Sequence, residues 1–170
     1  MLKKDIKEYN KNFFDEINNK WAILVSGNRN IGINGMTVSW GSIGVLWNKP
    51  IFIVYVRKSR YTYDFCEKSD SFTLSFLGDK YKKEKALFGS KSGKDMDKFK
   101  ETGLHPCLDV DFNGYYIAEA EYVFKGKKIT SFDINYDDLP DNIKKNFYGD
   151  KDMHTAYICE LTQYLINEKL

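Results

Sequence analysis

Cysteine, proline and histidine are scarce: three, three and two residues in a chain of 170. Cys66, Cys107 and Cys159 are odd in number, widely spaced and free of any Cys-x-x-Cys pair. Neither a disulfide framework nor a zinc site is therefore indicated, and free thiols in a reducing compartment fit better. His105 and His154 are the only imidazoles. His105 precedes Pro106 in a loop-like stretch, and no nucleophile-elbow sequence accompanies either histidine, so a hydrolytic triad has no support. The longest apolar stretch, Pro50 to Val56, is far too short to span a bilayer. The start, MLKKDIKEYN, is charged throughout and has no apolar signal region, which predicts a cytoplasmic protein. A net charge of +2 creates no global field, so neither nucleic acid nor a membrane is an expected partner.

What the chain has is aromatic surface: 16% of residues, mostly Tyr and Phe. These residues favour strands and flat ligand sites. The length and an apolar fraction of 42% fit a single domain over residues 1–170 with one core. Ile6, Tyr9, Phe13, Phe14 and Ile17 share one helical face over residues 5–18. Strands are expected at Trp21 to Ser26, Ile33 to Trp40, Ile51 to Val56, Ser71 to Leu77, Tyr115 to Phe124 and Thr155 to Ile166. A helix is expected from Tyr61 to Lys68, two short ones between residues 79 and 100, and another after Pro140. Lys125-Gly126-Lys127-Lys128 reads as a strand break. About six strands with single inserted helices and no alternating βαβ rhythm indicate an antiparallel barrel or sandwich.

Two phosphate-binding motifs fail on inspection. Gly27, Gly32 and Gly35 do not form a dinucleotide fingerprint. The run Phe88-Gly89-Ser90-Lys91-Ser92-Gly93-Lys94-Asp95 has Phe88 where a P-loop needs glycine, and Asp95 where it needs the hydroxyl that holds Mg²⁺.

Three segments can carry a site. Asn34-Gly35-Met36-Thr37-Val38-Ser39-Trp40 places small polar groups, backbone amides and an indole on one strand. This suits the edge of a flat heterocycle and equally a core strand with a structural tryptophan. Arg57-Lys58-Ser59-Arg60-Tyr61-Thr62 lies where a strand gives way to a helix, so cations, hydroxyls and a helix N-terminus meet. Only three arginines stand against 23 lysines, yet two fall here. Arginine grips phosphate with a planar fork that lysine lacks. Ser90 to Lys98 adds two hydroxyls, a glycine and three lysines that could close over the same anion.

The runs NGMTVSWGSIGVLWNKP, IVYVRKSRYTYDF, SKSGKDMDKFKETGLHP and GDKDMHTAYICEL, in this order, resemble the flavin reductase family of FMN-binding split barrels, its flavoredoxin-like members in particular. The resemblance covers about residues 20–165. It implies a mainly β fold, a six-stranded antiparallel split β-barrel of Greek-key character with short inserted helices, working as a homodimer with FMN near the dimer interface. By motif position, Asn34, Met36, Thr37, Val38, Ser39 and Trp40 would lie along the flavin ring. Arg57, Ser59, Arg60, Tyr61 and Thr62 would hold the ribityl chain and phosphate, with Lys91, Ser92, Gly93 and Lys98 approaching from the later loop. His154 and Tyr157 would sit near the cofactor, His154 to orient substrate. Lys58 and Lys94 stand where many members have Pro and Arg, changes that keep or add positive charge. The implied activity is hydride transfer from NAD(P)H to the flavin. Alternatives are an electron carrier reduced by a redox protein, another split-barrel activity such as oxidation of a pyridoxamine-type substrate, and a non-catalytic flavin-binding module.

Overall fold

A computed structural model describes residues 1–168. The strands are β1 (Leu2–Lys4), β2 (Ala22–Asn28), β3 (Gly32–Val38), β4 (Gly41–Leu46), β5 (Lys49–Arg57), β6 (Ser71–Phe76), β7 (Pro106–Asp109), β8 (Gly114–Ile117), β9 (Tyr122–Asp133) and β10 (His154–Ile166). The helices are α1 (Phe13–Asp15), α2 (Tyr61–Lys68), α3 (Lys82–Ser90), α4 (Lys98–Thr102) and α5 (Asp141–Phe147). An antiparallel sheet runs in the order β3-β2-β6-β9-β10-β5-β4, with β1 paired to β10; β7 and β8 form a separate hairpin.

Period-two alternation explains why this sheet curls around its own core. Leu24, Met36, Val38, Phe52, Val54, Phe72, Leu74, Phe124, Tyr157 and Cys159, from six strands, point into one apolar interior. The alternate residues of β2, Ile23 and Val25, face outward and are covered by Phe88 of α3, Ile117 of β8 and neighbours. The sheet ends on β3 and β4, so the barrel is split there. The residues that join these two strands, Ser39 and Trp40, lie at the split.

Four expectations are corrected. The main sheet has eight strands rather than six, because β1 and β4 also pair. Residues 5–18 do not form one helix. The Asp5 side chain caps a 3₁₀ turn at Ile6–Glu8, Asn12 caps α1, and Glu16–Lys20 forms a π-helical turn. Each cap starts a fresh short turn. Ile6, Tyr9, Phe13 and Ile17 still reach the core, while Phe14 is 85% exposed.

The expected break at Lys125-Gly126 does not occur, and β9 runs straight through it. Gly126 makes this possible, because the Phe52 ring lies where a β-carbon would be. The facing strand absorbs the mismatch with a register shift between Leu161 and Gln163. Instead, the expected Tyr115–Phe124 strand divides into β8 and β9 at a turn through Ala118 and Glu119. Among the described residues, no helix is long and apolar enough to cross a membrane.

Candidate functional site

The three segments singled out in the sequence converge on one cavity of about 180 Å³, lined by Asn34, Ser59, Arg60, Tyr61, Thr62, Ser90, Lys91, Ser92, Gly93 and Lys98. Each lining group arrives for a local reason. β5 ends at Arg57, and Arg60 then takes an extended conformation as the N-cap of α2, with no side chain capping that helix. The first amides of α2 therefore have no side-chain acceptor from the cap, and Tyr61 and Thr62 at this end of the helix line the cavity. Asn34 reaches in from β3 and donates through Nδ2 to Thr62 Oγ1 over 2.8 Å, tying strand to helix. Gly93 lets the α3–α4 loop pass over this pair, since a β-carbon there would overlap Asn34 Oδ1 and press on Tyr61.

Two cations form the floor. Arg60 Nη2 and Lys98 Nζ each donate to the carbonyl of Phe88 over 3.3 Å, and Lys98 donates also to the carbonyl of Lys91 over 3.3 Å. Among the described residues, neither side chain forms an ion pair with a carboxylate. Burial, reinforced by nearby Arg60, lowers the Lys98 ammonium to a pKa of about 8. Burial and Arg57 likewise lower that of Arg60. A buried ammonium beside a half-buried guanidinium, both hydrogen-bonded to a carbonyl, is costly unless an anion completes the set.

Other sequence candidates serve this cavity indirectly or lie outside it. Ser59 borders it, but its amide and hydroxyl donate to Asp152, at 3.2 and 2.6 Å. Arg57 does not line it. Its guanidinium donates to the Phe147 and Asp152 carbonyls at 2.7 and 3.3 Å and pairs with Asp150 and Asp152, which braces the segment after α5. Met36 and Val38 point into the core, and only their backbone is left for a ligand. Thr37 Oγ1 donates to the carbonyl of Lys85 over 2.5 Å, facing α3. Tyr157 does not reach the cavity either: it is fully buried, packs near Phe72 and donates to Glu67 over 2.7 Å.

Ser39 and Trp40, at the far end of β3, line a second and wider cavity of about 640 Å³ with Phe14, Ile17, Tyr55 and the amides of Asn12, Asn18 and Asn19. On its other side Trp40 meets His154, ring centroids 5.0 Å apart, and Phe147 at 5.4 Å. His154 Nδ1 is hydrogen-bonded to the Tyr148 hydroxyl at 2.8 Å. Burial, then the charge of Arg57, lowers the His154 pKa to about 4, so the ring is neutral at pH 7. Along and just past β3 the chain thus runs from the first cavity at Asn34 to an aromatic corner at Ser39, five residues or about 17 Å away at strand spacing.

The sequence did not signal Phe88, whose carbonyl joins the two cations, nor Tyr148 or Asp152. Phe88 takes part through its backbone, which any residue would supply. Asp152 could have been flagged as an acidic residue two positions before His154.

The family model for the flavin reductase-like domain matches residues 14–170. A search of curated proteins returns no match. Among solved structures, the fold is similar to flavoredoxin of Desulfovibrio vulgaris (Miyazaki F), at 22% identity over 99% of this chain and 78% of that one, with a TM-score of 0.69. An FMN-binding protein from Thermus thermophilus is similar at 16% identity over 99% and 82% of the two chains, also with a TM-score of 0.69. An NADH:FAD oxidoreductase from Streptomyces globisporus C-1027 is similar at 16% identity over 87% and 75%, with a TM-score of 0.65.

Proposed function

Because the chain belongs to the flavin reductase-like family, we propose that it is an oxidoreductase that binds FMN and accepts hydride from NAD(P)H, passing electrons to a further acceptor. The observation that carries this reading is the Arg60–Lys98 pair, a half-buried guanidinium and a buried ammonium turned on one carbonyl beside a helix with no side-chain cap. A phosphate would replace that shared carbonyl as their main acceptor, through charge-assisted hydrogen bonds. Tyr61, Thr62 and Ser92 also line the cavity, and the first amides of α2 with the Ser92 hydroxyl would complete the set of donors. The distance along β3 from Asn34 to Ser39 suits an extended flavin mononucleotide, with phosphate at Asn34 and ring toward Trp40.

The flavin, when bound, supplies the hydride-accepting chemistry. The chain's own part is positioning. The outer edge of β3 has no neighbouring strand, so it has backbone groups free to meet the polar rim of a ring. Amide donors there would favour the negative charge that builds on the ring during reduction. Trp40 and the cavity beyond it offer an aromatic surface for the second planar reactant.

We further propose that the active form is a homodimer. Among the described residues β4 is an open sheet edge that carries Val45, 75% exposed, and leads into a turn with Trp47, 60% exposed, and such an edge calls for a covering partner.

Anaerobic mixing of FMN-loaded protein with NADH and with NADPH tests the activity. The reading predicts rapid loss of flavin absorbance with at least one of them. Flavin that stays oxidised with both, but is bleached by a reduced redox protein, would replace this reading with that of an electron carrier.

A further inference from the structure

His154 has one nitrogen held and one free. Its Nδ1 lies 2.8 Å from the Tyr148 hydroxyl, and both residues are buried. Among the described residues Nε2 has no partner, yet it is not sealed from solvent. The ring sits against Trp40, at the aromatic end of β3.

Hydrogen-bond accounting fixes the tautomer. Among the described residues the Tyr148 hydroxyl has no second acceptor, so a proton on Nδ1 would leave the buried phenol proton unpaired. Leaving a buried donor unpaired costs more than the net worth of most hydrogen bonds. The phenol therefore donates to Nδ1, and the neutral ring has its single proton on Nε2.

Tyr148 is itself held in place. The Arg57 guanidinium lies 5.5 Å over its ring and donates to the carbonyls of Phe147 and Asp152, on either side of the turn. Asp152 in turn accepts from Ser59. This explains why an arginine next to the anion cavity is turned away from it.

We infer that Tyr148 is a positioning residue: it holds His154 as the Nε2–H tautomer and aims that N–H at the Trp40 corner, to donate to a carbonyl oxygen of a planar ring docked there. The inference rests on the flavin reading, which places such rings at this corner. The carbonyl belongs either to the flavin ring or to the carboxamide of nicotinamide, and the two sources give different kinetic outcomes.

The test uses ¹⁵N-labelled FMN-loaded protein. Long-range ¹H–¹⁵N spectra of His154 are expected to show a protonated Nε2 and a bare Nδ1 at pH 7. In Tyr148→Phe the ring should become a mixture of tautomers. The rate of flavin reduction should fall up to about tenfold, the size expected for one directed hydrogen bond. A rise in the FMN dissociation constant assigns the carbonyl to the flavin. A rise in KM for the nicotinamide with unchanged FMN affinity assigns it to the carboxamide. A proton on Nδ1 in the unmodified protein would overturn the inference, without any need for the variant to fold. So would a Tyr148→Phe protein with the tautomer and reduction rate unchanged. Protein that binds no FMN would instead overturn the functional reading on which the inference stands.

Discussion

Arg60 and Lys98 donate to the same carbonyl oxygen, that of Phe88, each over 3.3 Å. Like charges seldom meet below the surface without a carboxylate between them. Here the only shared partner is one carbonyl, and the cavity beside it is rimmed by hydroxyls and helix amides. On the reading proposed above the arrangement is half of an ion-binding site, and its energetics predict how the site responds to pH, to crowding and to its ligand.

Lys98 has a pKa near 8 in the folded chain, against 10.5 ordinarily, because burial and Arg60 disfavour its charge. A lowered ammonium pKa means that the unfolded chain binds the extra proton between pH 8 and 10.5. Ligand-free protein should therefore gain stability from this group as pH rises through that window. A bound phosphate stabilises the charged form, so binding above pH 8 requires proton uptake. FMN affinity should weaken by up to about tenfold per pH unit above 8. Isothermal titration at pH 7 and 9.5 checks this, and Lys98→Met should flatten the dependence.

Gly93 is predicted to tolerate no side chain while FMN is bound. An alanine there would overlap Asn34 Oδ1 and crowd Tyr61. The overlap must displace the amide that ties β3 to Thr62. Overpacking of this kind typically costs ~1–3 kcal/mol. Gly93→Ala should weaken FMN binding by roughly tenfold or more, with a normal circular dichroism spectrum. Unchanged affinity would show that the loop does not press on the ligand.

Acid should act on His154 before it acts on the carboxylates. Burial and Arg57 hold its pKa near 4 rather than 6.5, so the unfolded chain takes up this proton first. Stability should fall as pH drops from 6.5 to 4. Asp109 and Asp133, whose pKa values are lowered below 3.8, contribute their losses beneath that window. Urea titrations at pH 7 and 4.5 should show a smaller loss in His154→Gln than in the unmodified chain.

Val45→Lys places a charge on the open edge at β4. If a second copy covers this edge, sedimentation should report a monomer for the variant and a dimer for the unmodified chain. Equal masses would move the interface elsewhere.

The strand pattern was legible where alternation or a continuous apolar run is strong, as in β5, β6 and β10. It failed where glycine and caps override it. Gly126 looked like a break because its role, making room for the Phe52 ring, comes from another strand. The face of residues 5–18 was read correctly as apolar, but Asp5 and Asn12 divide the helix. That Arg60, Tyr61 and Thr62 line a cavity was legible from arginine scarcity and the strand-to-helix switch. The split of duties between Arg60 and Arg57 was not, since it depends on Asp150, Asp152 and Tyr148, more than 90 positions away for Arg57. Tyr157 fits the motif position implied by the resemblance, but strand alternation turns it inward.

Side-by-side titration of ligand-free protein with FMN and with riboflavin, which lacks the phosphate, tests the central claim most directly. The account predicts that FMN binds at least tenfold more tightly, and that Arg60→Ala removes most of the difference, because a charge-assisted phosphate contact is worth ~1.5–3 kcal/mol. Equal affinity for the two flavins, or an Arg60→Ala protein that still discriminates between them, would contradict it.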